Sequence, residues 1–71
     1  MTKVLSKEFQ QRMRQALHDW LVKNPKTGLE MGREVGIGSL TLNKFLNNDK
    51  HLESKQAYIL LGFLQRENPE F

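Results

Sequence analysis

The sequence contains no cysteine, which excludes disulfide bonds, thiol chemistry and a cysteine zinc site. It also lacks any apolar run near the roughly 18 to 20 residues that a membrane-spanning helix needs. The first residues, MTKVLSKEF, have no apolar core of the kind found in a signal peptide. We therefore expect a protein that does not enter a membrane and stays in the cytoplasm.

Proline is scarce, and strand patterns are absent. The two prolines follow asparagine, at Asn24-Pro25 and Asn68-Pro69, where each would end a helix. No segment alternates polar and apolar residues for long enough to indicate a strand. Apolar residues instead recur at helical spacing, as in Phe9, Met13 and Leu17. The pattern predicts an all-α fold.

Four helices are predicted, at about residues 7–23, 28–35, 39–47 and 54–66, in a single compact domain covering residues 1–71, with residues 1–5 as a loose end. Ser6, Thr27 and Ser39 are the expected N-caps, and Glu30 completes a capping box with Thr27. The apolar contacts of the second helix are assigned to Leu29, Met31 and Val35. Short connections join all four helices.

The charged residues indicate a weakly basic protein. Eleven Lys and Arg oppose eight Asp and Glu, giving a net charge of +3. This excess permits an anionic partner such as DNA, although it equally serves to keep a protein in solution. His18 and His51 lie far apart in sequence with no cluster of other ligands near them. We find no nucleophile-and-base pair, metal site or cofactor fingerprint, and predict neither an enzyme nor a cofactor.

The stretch EMGREVGIGSLTLNKFLNN, residues 30–48, places two short helices on either side of a tight turn. A helix, a short turn with glycine and a second helix form the helix-turn-helix arrangement. Gly36 would supply a positive φ angle, and Gly32 would let the two helices approach closely. Ile37, Leu42 and Phe45 would face inward and hold the second of these helices against the core.

This stretch resembles the helix-turn-helix of the lambda repressor and Cro family of phage and bacterial regulators. The residues that carry the resemblance are Gly32, Gly36, Ile37 and Leu42. The resemblance implies a compact four-helix, lambda repressor-like domain that binds double-stranded DNA sequence-specifically. It implies a transcriptional regulator, a repressor acting as a dimer, with recognition helix 39–47 in the major groove. Family members often open the second helix with a phosphate-binding glutamine, where this chain has Gly28.

The resemblance also assigns candidate DNA contacts. Base contacts fall to Ser39, Leu40, Asn43 and Lys44: asparagine pairs with adenine, lysine reaches guanine or a phosphate, and leucine covers a thymine methyl. The candidates for backbone contact are Thr27, Gly28, Arg33, Gly38, Asn47, Asn48 and Lys50. Alternatives remain open: Ser39 as a helix cap, Lys44 as a solvated lysine, and Asn47 and Asn48 as a helix end.

The last helix carries a second apolar set besides the stripe formed by Ala57, Leu60, Leu61 and Leu64. Ile59, Phe63 and Phe71 look surplus to one small core and are the predicted homodimer interface. Two copies would hold their recognition helices about 34 Å apart. The alternative is a core that surrounds this helix on several sides.

A second function is compatible with the same residues. The chain could be a protein-interaction module that keeps the helix-turn-helix fold without specific DNA binding. The low net charge, Gly28 in place of the family's glutamine, and an exposed Leu40 that could anchor a partner favour it. No small-molecule effector is evident in the sequence.

Overall fold

The first helix, α1 (Lys7–Lys23), begins where Ser6 caps it and ends before Pro25. The Ser6 Oγ accepts the Phe9 N–H at 3.1 Å, as expected from the sequence. Three further helices follow: α2 (Gly28–Val35), α3 (Ser39–Leu46) and α4 (Ser54–Glu67). These bounds come from a computed structural model, which describes residues 5–71. The prediction of a loose end at residues 1–5 falls, for residues 1–4, outside the part of the chain that the structure describes.

The prediction of an all-α chain with four helices is confirmed, and residues 5–71 contain no strand. α1 packs on α3 and α4, and α2 packs on the same two helices. The Cα radius of gyration is 11.0 Å, close to the value of about 11 Å for a compact chain of this length. None of the helices in the described part of the chain is long and apolar enough to cross a membrane.

One core lies between the helices. Its most deeply buried members include Met13 and Leu17 from α1 and Leu42 and Phe45 from α3, each at 0% exposure. α1 also contributes Phe9, and the other helices and connections contribute Met31, Val35, Ile37, Leu52, Ala57, Leu60, Phe63 and Leu64. Leu52 comes from the α3–α4 connection, where helical periodicity cannot identify a core residue.

Leu29 does not belong to this core. It was expected to contribute an apolar contact of α2, but it is 60% exposed, whereas Met31 and Val35 are buried. An eight-residue helix presents only a narrow stripe to the core. Met31 and Val35, four residues apart, fill that stripe, and Leu29 lies outside it.

Candidate functional site

The outward face of α3 is exposed along the length of the helix. Leu40, Asn43, Lys44 and Asn47 are all exposed and follow the spacing of a single helical face. The opposite face holds Leu42 and Phe45, both fully buried. Because the core anchors one side of α3, the other side stands clear as a mixed polar and apolar ridge.

A short turn fixes where α3 starts. Gly36 has φ 92°, and its N–H and that of Ile37 both donate to the Gly32 carbonyl, at 2.8 and 3.2 Å. The left-handed conformation favours glycine, as expected for Gly36. Ile37 is 5% exposed and ties the turn to the core.

Gly32 is a point of close approach between α2 and the start of α3. A Cβ atom there would lie 2.9 Å from the Ile37 carbonyl oxygen and 3.1 Å from the Ser39 nitrogen. Both atoms are backbone, so they cannot move aside as a side chain would. The expected close approach at Gly32 is therefore confirmed, and it sets the position of the first turn of α3.

Ser39 is not the N-cap that the sequence predicted. Gly38 occupies that position without any side-chain hydrogen bond, and Ser39 is the first residue of the helix. The close approach of Gly32 to the Ser39 backbone brings α3 in at this residue. The Ser39 hydroxyl thus lies in the first turn of α3 without a capping role.

Asn43 lies over the first residue of α2. A Cβ atom at Gly28 would be 3.2 Å from Asn43 Nδ2 and 3.9 Å from its Oδ1. The same position is 3.9 Å from the Ser39 Cβ. The structure thus brings three of the candidate contacts, Gly28, Ser39 and Asn43, to one place, although they come from two helices.

Beside this cluster, an open groove of about 270 Å³ runs along the turn. Leu29 and Arg33 of α2 line one side, and Gly38 and Ser39 line the other. Leu29 and Leu40, at 60% and 69% exposure, are large apolar side chains that face solvent in this part of the molecule. The surface therefore offers apolar contact as well as hydrogen bonding.

The start of α2 has its capping box, as predicted. The Thr27 N–H donates to Glu30 Oε1 at 3.0 Å, and Thr27 Oγ1 accepts the Glu30 N–H at 3.2 Å. The hydrogen bond from the Thr27 backbone N–H lowers the pKa of the Glu30 carboxyl, with a smaller lowering from the Thr27 side chain. The backbone N–H of Thr27, one of the candidates for DNA backbone contact, is thus already engaged with Glu30.

The end of α3 gives the two asparagines backbone roles. Asn48 has φ 64° and its N–H donates to the Phe45 carbonyl, while the Asp49 N–H donates to the Lys44 carbonyl. This pair of bonds is the Schellman closure, in which asparagine is the usual substitute for glycine. Asn47 is the C-cap, so the alternative that these residues terminate the helix holds. The side chains of both remain exposed, as does Lys50.

A row of polar side chains on α1 bonds the backbone at this end of α3 and in the α3–α4 connection, and it was not predicted from the sequence. Gln10 exchanges two hydrogen bonds with the Leu52 backbone, at 3.1 and 3.0 Å. Arg14 Nε donates to the Phe45 carbonyl at 2.6 Å, and His18 Nε2 lies 3.1 Å from the Leu46 carbonyl oxygen. The signal for it was polar residues at four-residue spacing beside a buried stripe.

Arg14 is the central member of that row. Its side chain is 5% exposed, and its guanidinium carbon lies 4.6 Å from the centre of the Phe45 ring. Nη1 donates to Gln11 Oε1, while Nη2 has no partner within the described part of the protein. Burial lowers the pKa of this guanidinium from its ordinary value, although arginine stays charged in proteins.

The three residues predicted for a dimer interface differ in their exposure. Phe63 is 3% exposed and packs edge-on against Trp20, with ring centroids 5.0 Å apart. Phe71 is half-buried against the core, 6.1 Å from Phe9. Ile59, at 37% exposure, is the one member of the three that faces solvent. The alternative of a core that surrounds α4 on several sides holds for Phe63, because α1 supplies Trp20 on that side.

Neither histidine belongs to a group of potential metal ligands among the described residues. His18 belongs to the polar row on α1, and His51 is exposed in the α3–α4 connection. Residues 5–71 include no group of three His, Cys, Asp or Glu able to hold a metal ion.

The chain matches no protein-family model, and searches of curated proteins and of solved structures find no match either.

Proposed function

We propose that the chain is a sequence-specific double-stranded DNA-binding regulator, a repressor acting as a dimer. On this proposal α2, the turn and α3 form a lambda repressor-like helix-turn-helix, and α3 enters the major groove. The observation that carries the proposal is the exposed ridge of Leu40, Asn43, Lys44 and Asn47 opposite the buried Leu42 and Phe45. With its side chains an α-helix is about 10 to 12 Å across, and the major groove, about 12 Å wide, admits one.

The chemistry of the ridge supports base recognition. Asn43 has the paired donor and acceptor that match adenine, Lys44 can reach guanine or a phosphate, and Leu40 can cover a thymine methyl. Ser39 stands at the start of the helix with its hydroxyl free of a capping role. Residues near the start of a recognition helix are those that reach base edges.

Phosphate contacts would come from the two ends of the ridge. Arg33 and Lys50 are exposed cations on its flanks, and the side chains of Asn47 and Asn48 are exposed beside Lys50. Gly28, at the start of α2, offers a backbone N–H that has no carbonyl partner within the helix. A regulator of this kind would act in the cytoplasm, on the nucleoid.

Selection of bound sites from random duplex DNA tests the proposal, with the stoichiometry of the complex measured alongside. We expect one enriched, roughly palindromic sequence and two chains per site. Affinity should fall with salt, with a log–log slope of about −0.9 for each phosphate contacted. Failure to bind any duplex at low salt, or binding without sequence preference, would contradict the proposal.

A double substitution tests whether sequence preference depends on the side chains of the ridge or only on net charge. Asn43→Ala with Lys44→Ala should abolish sequence preference while leaving the helical circular-dichroism spectrum unchanged. The control, Lys55→Ala with Gln65→Ala, removes the same charge and an amide from exposed positions of α4. It should keep the preference, and an equal loss in both variants would show that only net charge matters.

The exposed Leu29 and Leu40 favour a second candidate, a protein-interaction module with the same fold. Apolar side chains at 60% and 69% exposure are typical anchors for a partner's pocket. The same variants separate the two functions. The second function replaces the first if Asn43→Ala with Lys44→Ala leaves DNA binding unchanged and Leu40→Ser removes binding to a protein partner.

A further inference from the structure

We propose that Gly28 is a positioning residue for base recognition: its missing side chain leaves the space in which the Asn43 amide lies over the start of α2. The inference rests on the proposed function, because it names what places the group that would read an adenine. It also assigns a specific purpose to the residue that stands where the resembling family often has glutamine.

The geometry that supports it is a near contact between the two helices. A Cβ atom at Gly28 would lie 3.2 Å from Asn43 Nδ2, so the amide would have to give way by a few tenths of an ångström. A larger side chain would displace it further. The Asn43 side chain is exposed and can therefore rotate out of the way, unlike the backbone atoms that face Gly32.

The backbone does not explain the glycine. Of the glycines in residues 5–71, Gly36 alone has a positive φ angle, so Gly28 adopts a conformation open to any residue. Glycine also weakens a helix relative to alanine. The close neighbour that a side chain at position 28 would meet is Asn43, with Ser39 at ordinary contact distance.

The consequence is a direct one for readout. A bidentate asparagine–adenine pair requires both amide atoms within hydrogen-bonding distance at once, which tolerates little displacement. Moving the amide should weaken discrimination at one base pair and leave contacts made by Lys44 and the phosphate-binding residues in place. Gly28 would thus determine specificity without touching DNA through a side chain.

Gly28→Ala and Gly28→Leu test the inference, with Gly62→Ala as the matched control. Gly62 also lies within a helix, and a Cβ atom there would meet nothing within 4 Å. In both Gly28 variants we expect the Asn43 side-chain amide resonances to shift in ¹⁵N NMR spectra of the free protein. The side-chain amides of Asn24 and Asn68, which lie in other connections, should stay in place.

On DNA, preference for the base pair read by Asn43 should fall by a factor of roughly 5 to 150, the range for loss of one bidentate pair. Gly62→Ala should keep that preference. In an Asn43→Ala background, Gly28→Ala should not change the base-pair preference further, because the side chain that it would displace is absent. This double-mutant comparison distinguishes positioning of Asn43 from a general effect on α2.

Two outcomes would overturn the inference alone. One is an unchanged preference in Gly28→Leu, in a protein that binds its selected site. The other is a loss of preference that Gly28→Ala also produces without Asn43. If the unmodified protein binds no duplex, the proposed function fails, and this role of Gly28 fails with it.

Discussion

At the scale of single residues, the glycines of this small protein do different things. Gly36 adopts a left-handed backbone, whereas Gly32 leaves space for the backbone of the turn. Gly62 lies on the exposed side of α4, and nothing in its surroundings requires glycine. The same substitution should therefore have opposite effects at two helical positions.

Gly62→Ala should raise the free energy of unfolding by about 0.5 to 1 kcal/mol, because alanine loses less backbone entropy in a helix. Gly32→Ala should lower it by about 1 to 3 kcal/mol, since the added methyl overpacks the contact with Ile37 and Ser39. Thermal unfolding would show a difference of several degrees, at about 4 to 8 °C per kcal/mol. Equal stabilisation by both substitutions would contradict the close approach at Gly32.

At the scale of elements, each end of the short helix α2 is fixed by its own residues. Thr27 and Glu30 form the capping box at one end, and Gly36 closes the other. The hydrogen bonds from Thr27 favour the charged form of Glu30 and lower its pKa from 4.5. A depressed carboxyl pKa stabilises the fold above the pKa of the unfolded chain, and that stabilisation is lost as the pH falls through the folded pKa.

Replacing Glu30 with glutamine should therefore flatten the acid side of the stability profile. At neutral pH the unmodified chain has the full contribution of Glu30, and this contribution is lost as the pH falls from the ordinary carboxyl pKa through the lowered pKa of the folded state, because protonation weakens the bond from Thr27. Urea unfolding at a series of pH values would measure the difference between the two proteins. Glu34→Gln is the control: Glu34 is an exposed carboxylate on the same helix, and its ion pair with Lys26, at 3.8 Å, is a surface pair that contributes little to stability. An identical flattening there would argue against a specific role for the capping box.

At the scale of the whole molecule, side chains of α1 bond the main chain of α3 and of the α3–α4 connection. Gln10, Arg14 and His18 reach the Leu52, Phe45 and Leu46 main chain, respectively. The positive guanidinium of Arg14 also lies at the end of α3, where the helix dipole favours a cation. This row fixes the end of the ridge that we propose contacts DNA.

Arg14→Lys should lower the free energy of unfolding by about 1 to 3 kcal/mol. Lysine keeps the charge but has no planar group to stack on the Phe45 ring while bonding the Phe45 carbonyl and Gln11. Chemical denaturation measures the loss. Arg33→Lys, at an exposed position, should change stability by less than about 0.5 kcal/mol. If the two substitutions cost the same, Arg14 does not hold α3 in the way described.

The local features of the fold could be predicted from the sequence. The bounds of all four helices lie within one residue of those expected, because caps, prolines and the glycine turn act over a few neighbouring residues. Ser6, the pair of Thr27 and Glu30, and Gly36 have the roles predicted for them. The inward side of α3 was equally readable, because its apolar residues recur at helical spacing.

The errors concern residues whose surroundings come from elsewhere in the chain. Phe63 looked surplus until Trp20 of α1 covered it, and Leu29 looked buried although its helix has too little inward surface. Ser39 lost its capping role because Gly32 draws the α3 backbone against α2.

By itself, the sequence determined where helices begin and end and which residues form the inward stripe of α3, because those properties depend on contacts a few residues apart. Only the tertiary structure decided that Gly28 faces Asn43 and that Arg14 bonds the Phe45 carbonyl at the end of α3. It also decided that Phe63 is buried. These depend on how helices meet, which no spacing along one helix encodes.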